Sequence, residues 1–202
     1  MPGANFQALI ASVASSSEQS AQWNSADKDA DITLSNSDRD TAGAGAGTVR
    51  SLLGRSTGKY YWEVTIITGS PGNLYLGLVN STFTVTNNYC GSAASSAGIA
   101  SFGNSVHTWT KAQAGTISLA LNDIVGFAVD ISTGYLWVAQ NNTWQLTGDP
   151  AAGTNPWVSG ITGTVYPACS YVGAYSTGGR ISTTTAELTY SPPSGFSQWA
   201  AA

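Results

Sequence analysis

GKYYWEV, Gly58 to Val64, decides how this chain is read. A glycine turn opens onto a run that alternates Tyr60, Trp62 and Val64 with Tyr61, Glu63 and Thr65, so the spacing predicts a strand with one buried face. Further on, LNDIVGFAVDISTGYLWVAQNN, Leu121 to Asn142, reads as two strands joined at Ser132-Thr133-Gly134, with Val125, Phe127, Val129 and Ile131 as its apolar positions. Short alternating runs separated by glycine-rich turns continue outward from these two stretches: Ile32 to Leu34, Tyr60 to Ile67, Leu74 to Val79, Ile117 to Leu121, Ile124 to Ile131, Tyr135 to Ala139, Val165 to Val172 and Ala186 to Tyr190. Such spacing predicts two antiparallel sheets packed face to face. Ala42 to Gly47, AGAGAG, reads as a flexible connector, and Ser92 to Ala97 as an exposed loop.

GKYYWEV, YLGLVN (Tyr75 to Asn80), the strand-turn-strand unit with Asp123, Gly126 and Asp130, and Val165-Tyr166-Pro167-Ala168 together resemble the SPRY (B30.2) domain family. The likeness runs from Trp23 to Trp199 and implies an all-β, two-sheet antiparallel sandwich of the SPRY or concanavalin-like jelly-roll type. A narrower resemblance is to SPRY-like domains of tailed-bacteriophage proteins. It is carried by Trp23-Asn24, Ala26-Asp27-Lys28 and Ile32-Thr33-Leu34-Ser35, by Gly148-Asp149-Pro150-Ala151-Ala152-Gly153-Thr154, and by Ser191-Pro192-Pro193-Ser194-Gly195-Phe196. The family is mostly a recognition scaffold, so the likeness implies binding rather than chemistry.

Residues 1–22 read as an arm and residues 23–202 as one sandwich domain. Within the arm, Phe6, Leu9, Ile10 and Val13 fall at helical spacing behind Asn5, and Ser15-Ser16-Ser17 ends the pattern. A helix this short is marginal alone in water. Its apolar stripe must therefore rest on something, either the chain's own sandwich or a neighbouring subunit.

Only 9% of the 202 residues are charged, and none lies between Glu63 and Lys111, against roughly a quarter in an ordinary soluble domain. A surface of Ser, Thr, Asn and Gly points to contact with coat subunits or glycans, although it also suits a robust extracellular β-protein. A net charge of -4 and a pI of about 4.6 argue against nucleic acid, whose phosphates need clustered Lys and Arg. No stretch reaches the ~18 apolar residues of a membrane span. The N-terminus lacks a secretory pattern, so synthesis and assembly in a cytoplasm are expected. Cys90 and Cys169 are expected to be buried free thiols.

Catalytic constellations are sparse. His107 is the one histidine, with no nucleophile elbow and no carboxylate that the sequence places beside it. Glu63 has no carboxylate partner at Tyr61 or Thr65, which argues against a two-carboxylate glycosidase. Asp27, Asp29 and Asp31, with Asp38 beyond, miss the turn glycine of a calcium loop because Ile32 stands there, so they read as solvated turn residues. No lysine-serine or lysine-threonine follows Gly43, Gly45 and Gly47, so they make no phosphate cradle. No catalytic residue, metal or cofactor is expected.

Seven Trp and nine Tyr exceed what two strand faces require. Tyr60 and Trp62 belong to the core. Trp109, Trp144 and Trp157 lie in or beside loop-like sequence and Tyr89 follows Asn87-Asn88. These four are the candidate ligand-binding rings, since a flat ring beside amides offers apolar area at low entropic cost. Each could equally plug an end of the sandwich. The resemblances imply a non-enzymatic virion protein, a capsid decoration or fibre component joined through its arm to other virion proteins and to copies of itself. The alternative is a receptor-binding module for a host-surface glycan or protein.

Overall fold

A computed structural model describes residues 22–69, 73–100, 105–107, 110–111, 117–173 and 175–200. The arm residues Phe6, Leu9, Ile10 and Val13 and the ring of Trp109 lie outside these, and the side chain of His107 is likewise outside them.

Sixteen strands are defined within the described residues: β1 (Trp23–Lys28), β2 (Ile32–Ser35), β3 (Asp40–Gly43), β4 (Gly47–Ser51), β5 (Lys59–Thr68), β6 (Leu74–Asn80), β7 (Ser96–Ala100), β8 (Ser105–His107), β9 (Thr110–Lys111), β10 (Ile124–Asp130), β11 (Tyr135–Gln140), β12 (Thr143–Trp144), β13 (Val158–Ser159), β14 (Val165–Tyr171), β15 (Tyr175–Ser182) and β16 (Ser197–Gln198). Sheet A runs β1-β4-β14-β6-β7-β8 and sheet B runs β2-β3-β15-β5-β10-β11-β13-β9, with β12 on β11 and β16 on β5. Every pairing is antiparallel except β16, which lies parallel to β5 at Tyr60 and Tyr61, beyond the point where β15 stops pairing with β5 at Glu63.

The sandwich expected from the sequence is the one observed. Trp62, Val64 and Ile66 of β5, Leu74, Leu76 and Leu78 of β6, Phe127 of β10 and Cys169 of β14 meet between the sheets. Trp62 stacks on Phe127 at 5.0 Å and takes the edge of Trp199 at 5.1 Å.

The strands differ from their expected pattern in being buried on both sides. Tyr61 and Glu63, on the far face of β5 from Trp62, are as inaccessible as Trp62 itself. A second layer covers each sheet. On sheet A, Phe83, Val85, Tyr89 and Cys90 of the 81–95 loop pack on Tyr75, Val79 and Ala168. On sheet B, Leu188 and Phe196 of the C-terminal segment, with Trp144, pack on Tyr61, Ala128 and Trp137. Four apolar layers rather than two absorb the aromatic residues and leave few positions for charge.

Several segments depart from their expected form. AGAGAG is not a loose connector: it ends β3 and begins β4, and its glycines alternate because side chains pack against them. A Cβ at Gly43 would fall in the Tyr171 ring, at Gly45 in the Asp31 carboxylate and at Gly47 in the Asp29 side chain. Asp29 is correspondingly not a solvated turn residue; it is buried and accepts from Asp31 N (2.8 Å) and Asn87 N (3.0 Å). Ala186 to Tyr190 is a turn, because its amides have other acceptors. Thr189 N and Tyr190 N donate to the Glu63 carboxylate, and Leu188 N donates to Thr184 O. Ile117 to Leu121 sends Ile117 and Leu119 into the core but forms no named strand; Ala120 N donates to Asp123 Oδ2 and Gln140 Nε2 to Ser118 O. Ser96 and Ala97, expected in an exposed loop, open the buried strand β7.

Candidate functional site

The stretch without charge between Glu63 and Lys111 occupies one place in the fold. It supplies the second half of β5, all of β6, the 81–95 loop, β7 and β8. Since β6 and β7 are neighbours in sheet A and the loop packs on them and on β14, the gap in the sequence leaves these strands and the exposed residues of their cover without an ionised side chain.

Polar groups of the chain hold the loop in one shape. Cys90 N donates to Ser170 Oγ (3.0 Å), and Ser170 Oγ donates to Cys90 Sγ (3.0 Å). Thr48 Oγ1 donates to the Asn88 carbonyl (2.6 Å) and lies 2.8 Å from Ser170 Oγ. Gly91 N donates to Ser96 Oγ (2.9 Å), and the Ser92 hydroxyl to Asn88 Oδ1. Cys90 sits so close to Gly98 that a Cβ there would lie 2.7 Å from its own Cβ. Both cysteines are buried free thiols. Burial pushes the Cys90 thiol up to about 12, and the Cys169 thiol to about 11, which makes both poor nucleophiles near neutrality.

Above this anchor the loop carries Tyr89, half-buried, its ring tilted 41° against Tyr75 at 4.6 Å. Exposed Thr84, Thr86, Asn87 and Ser92 surround it in sequence. These hydroxyls and the Asn87 amide form the part of the site that the sequence reading passed over. The charge-free stretch was their signal.

The other rings named from the sequence are placed elsewhere. Trp144 is half-buried on the outer face of sheet B, edge-on to Tyr61 at 6.3 Å. Trp157 is 2% exposed and belongs to the main core, where Trp157 N donates to Leu136 O. Its loop-like sequence is corrected to a core position, reached because it immediately precedes β13. The structure therefore does not bring Tyr89, Trp144 and Trp157 together.

Glu63 is fully buried, and its carboxylate accepts from Tyr61 Oη (2.9 Å), Thr189 N (2.8 Å) and Tyr190 N (2.8 Å). It pins the C-terminal segment to sheet B and faces no second carboxylate among these partners. Burial, then the neighbouring Glu63 charge, raises the Tyr61 phenol well above its ordinary value. Beside this knot a depression of about 110 Å³ is lined by Thr185, Leu188, Thr189, Tyr190, Ser191 and Pro192, with no acidic or basic side chain. Asp27 is tied to Arg50 (2.7 Å). Among the described residues no three His, Cys, Asp or Glu side chains are grouped to hold a metal ion, and no helix is long and apolar enough to cross a membrane.

Comparison with known proteins places the fold. The chain is similar to the solved SPRY domain of human HERC1 at 13% identity, over 84% of this chain and 99% of that one, with a TM-score of 0.61. It is similar to the PSpry domain of TRIM65 at 13% identity, over 81% and 90% of the two chains, with a TM-score of 0.60. No curated protein matches it at the level of sequence. The family model described as "SPRY domain" matches residues 59–184, from the lysine of GKYYWEV to the threonines after β15. That span is more than half of the 202 residues, and the chain belongs to the SPRY domain family.

Proposed function

We infer that this chain acts by binding and carries out no reaction, as a structural protein of a tailed-bacteriophage virion attached through residues 1–22. It decorates the capsid or forms part of a fibre, in contact with other virion proteins and with copies of itself, after assembly in the host cytoplasm. The observation that carries the binding half is family membership across residues 59–184, since SPRY domains are in general non-catalytic protein-interaction modules. The anchoring of Glu63 on the C-terminal segment supports the same half, because it gives the motif's one carboxylate a structural task.

The virion half is supported by the strings at Trp23 to Ser35, Gly148 to Thr154 and Ser191 to Phe196, and by the 9% charge. Gly148 to Thr154 is a surface turn: Asp149 Oδ1 accepts from Ala152 N (3.0 Å), and Ala151 to Thr154 are exposed. Deleting residues 1–20 should leave a sandwich with an unchanged melting temperature that no longer joins its particle. A truncated protein that still assembles overturns attachment through the arm.

A second reading, recognition of a host-surface glycan or protein, is favoured by Tyr89 and Trp144, which remain partly exposed. Loss of cell binding in Tyr89→Ala or Trp144→Ala, with particle assembly intact, selects recognition over decoration.

A further inference from the structure

The neutral face of sheet A leaves a particular set of groups unused. The Thr84 and Thr86 hydroxyls and the Asn87 side-chain amide are exposed close in sequence to half-buried Tyr89, and neither these groups nor the Tyr89 hydroxyl are hydrogen-bonded to a described side chain or backbone group. Hydroxyls and amides both donate and accept, as the hydroxyls of a sugar ring do. We propose that the 81–95 loop is a carbohydrate-binding site for neutral sugars, with Tyr89 as the stacking ring. This rests on the binding reading above and names the class of ligand.

Charge decides the class. No Asp, Glu, Lys or Arg lies between Glu63 and Lys111, and the nearest charges outside that stretch are already engaged. Asp29 is buried and bonded to Asp31 N and Asn87 N, and the neighbouring Lys28 ammonium donates to the Asp29 and Ile32 carbonyls. Arg50 pairs with Asp27 and lies 5.4 Å from the Tyr166 ring centroid. A uronic acid, sialic acid, phosphate or charged peptide would lose water there and gain no opposite charge.

Preorganisation is the second argument. The Tyr75 ring backs Tyr89 at 4.6 Å, so the ring presents a fixed surface. Asn87 N is fixed by Asp29, Cys90 by Ser170 and Gly91 N by Ser96. Binding therefore orders little that is not already ordered, which favours weakly adhesive ligands such as sugars. A protein partner would want an apolar centre on this face. The exposed large hydrophobic side chains of the described residues, Leu52 and Leu121, follow β4 and precede β10 instead.

The test applies the full chain to an array of neutral and acidic oligosaccharides and measures affinity for the retained sugars calorimetrically in 50 and 500 mM NaCl. Neutral sugars should be retained with a Kd that changes less than about 2-fold between the two salts, since no ion pair is there to be screened. Tyr89→Ala should weaken binding at least ~10-fold and Asn87→Ala several-fold, each keeping the wild-type melting temperature within about 3 °C, while Gln145→Ala on the opposite sheet changes nothing. Tyr89→Phe, which keeps the ring, should retain most of the affinity and so separates stacking from misfolding. No neutral sugar retained, a preference for acidic sugars, or binding indifferent to Tyr89→Ala overturns the proposal. If purified particle proteins bind instead and lose binding in Tyr89→Ala, the carbohydrate assignment fails while the interaction reading stands; if neither sugar nor protein binds, both fail.

Discussion

The two outer layers of this domain solve one problem in opposite ways. Each sheet carries a second apolar face that must be hidden, yet the cover of sheet B is bound down largely by ionised groups and the cover of sheet A, Asp29 beneath Asn87 N apart, by neutral ones. Over sheet B the C-terminal segment is held by Glu63 beneath Thr189 and Tyr190, by Arg39 against Glu187 and by Arg55 on the Trp199 carbonyl (2.9 Å). Lys59 adds a contact above the Phe196 ring. Over sheet A the 81–95 loop is held by the Ser170, Thr48 and Ser96 hydroxyls, by the Cys90 contact and, at Asn87 N, by the Asp29 carboxylate. The first cover turns its ionised ties inward and leaves hydroxyls such as Thr185 and Ser191 exposed. The second keeps Thr84, Thr86 and Asn87 facing solvent around a half-buried ring, the combination proposed above to meet a neutral sugar.

If the C-terminal segment is truly part of the core, its removal must cost more than any change to the loop. Trp199 is fully buried, lies 5.1 Å from Trp62 and donates Nε1–H to Leu53 O (3.0 Å). Trp199→Ala should destabilise by about 3–5 kcal/mol, or roughly 10 °C in melting temperature for a domain of this size. A loss under about 1 kcal/mol by urea titration would mean the segment is a loose flap, and the contrast between the covers would collapse.

The loop side is sharpened by Gly98→Ala. The added methyl carbon meets Cys90 Cβ at 2.7 Å and the Cys90 carbonyl at 2.9 Å, and the backbone of β7 cannot retreat. The expected cost is about 1–3 kcal/mol of overpacking, and the loop, not the core, should absorb it. Hydrogen exchange should quicken at Cys90 and Gly91 while Val64 and Phe127 keep their protection. Uniform loss of protection would show that the loop and the sheets open as one unit.

How much of this was legible beforehand follows from what each residue spends. GKYYWEV and the Leu121 to Asn142 hairpin were readable because apolar side chains alternate there, and β5, β10 and β11 fall where that alternation puts them. β3, β4 and β15 were not, because Asp40 to Ser51 and Tyr175 to Ser182 owe their strands to neighbours: Gly43 must admit Tyr171, and Thr41 Oγ1 bonds Tyr171 Oη (2.6 Å). Alternation also misjudged β5 itself, since Glu63 looks like a solvent-facing residue until Thr189 and Tyr190, more than a hundred positions away, supply its donors. At the site, the ring of Tyr89 could be named from its flanking amides. Trp157 could not be told from it, because nothing local distinguishes a ring that precedes a surface turn from one that precedes a buried strand.

The smallest expected effect separates the covers by pH. Asp130 pairs with Lys59 (3.2 Å) and accepts from Ser132 N, and Asp40 pairs with Arg180 (2.6 Å). In both, burial alone would raise the carboxyl, but it is outweighed by the Lys59 and Thr133 bonds for Asp130 and by Arg180 and Asn36 for Asp40, so both are held below the ordinary carboxylate value. A carboxylate lowered in the fold contributes stability that is complete above its unfolded value, near pH 4, and is lost as pH falls through the folded one. Both pairs lie in sheet B, and the cation of each is more than a third exposed, so together they are worth about 1 kcal/mol. The Asp40→Asn, Asp130→Asn double variant should be less stable than wild type by that amount at pH 7, and the difference should shrink progressively as pH falls below about 4, followed by urea titration. Acid should also loosen amides of β3, β10 and β15 before those of the 81–95 loop, whose anchors are mostly hydroxyls and include a carboxylate at Asn87 N, held by Asp29. Loop amides that open first on acidification would locate the weaker cover over sheet A, at the Asp29 carboxylate beneath Asn87 N, and not in sheet B.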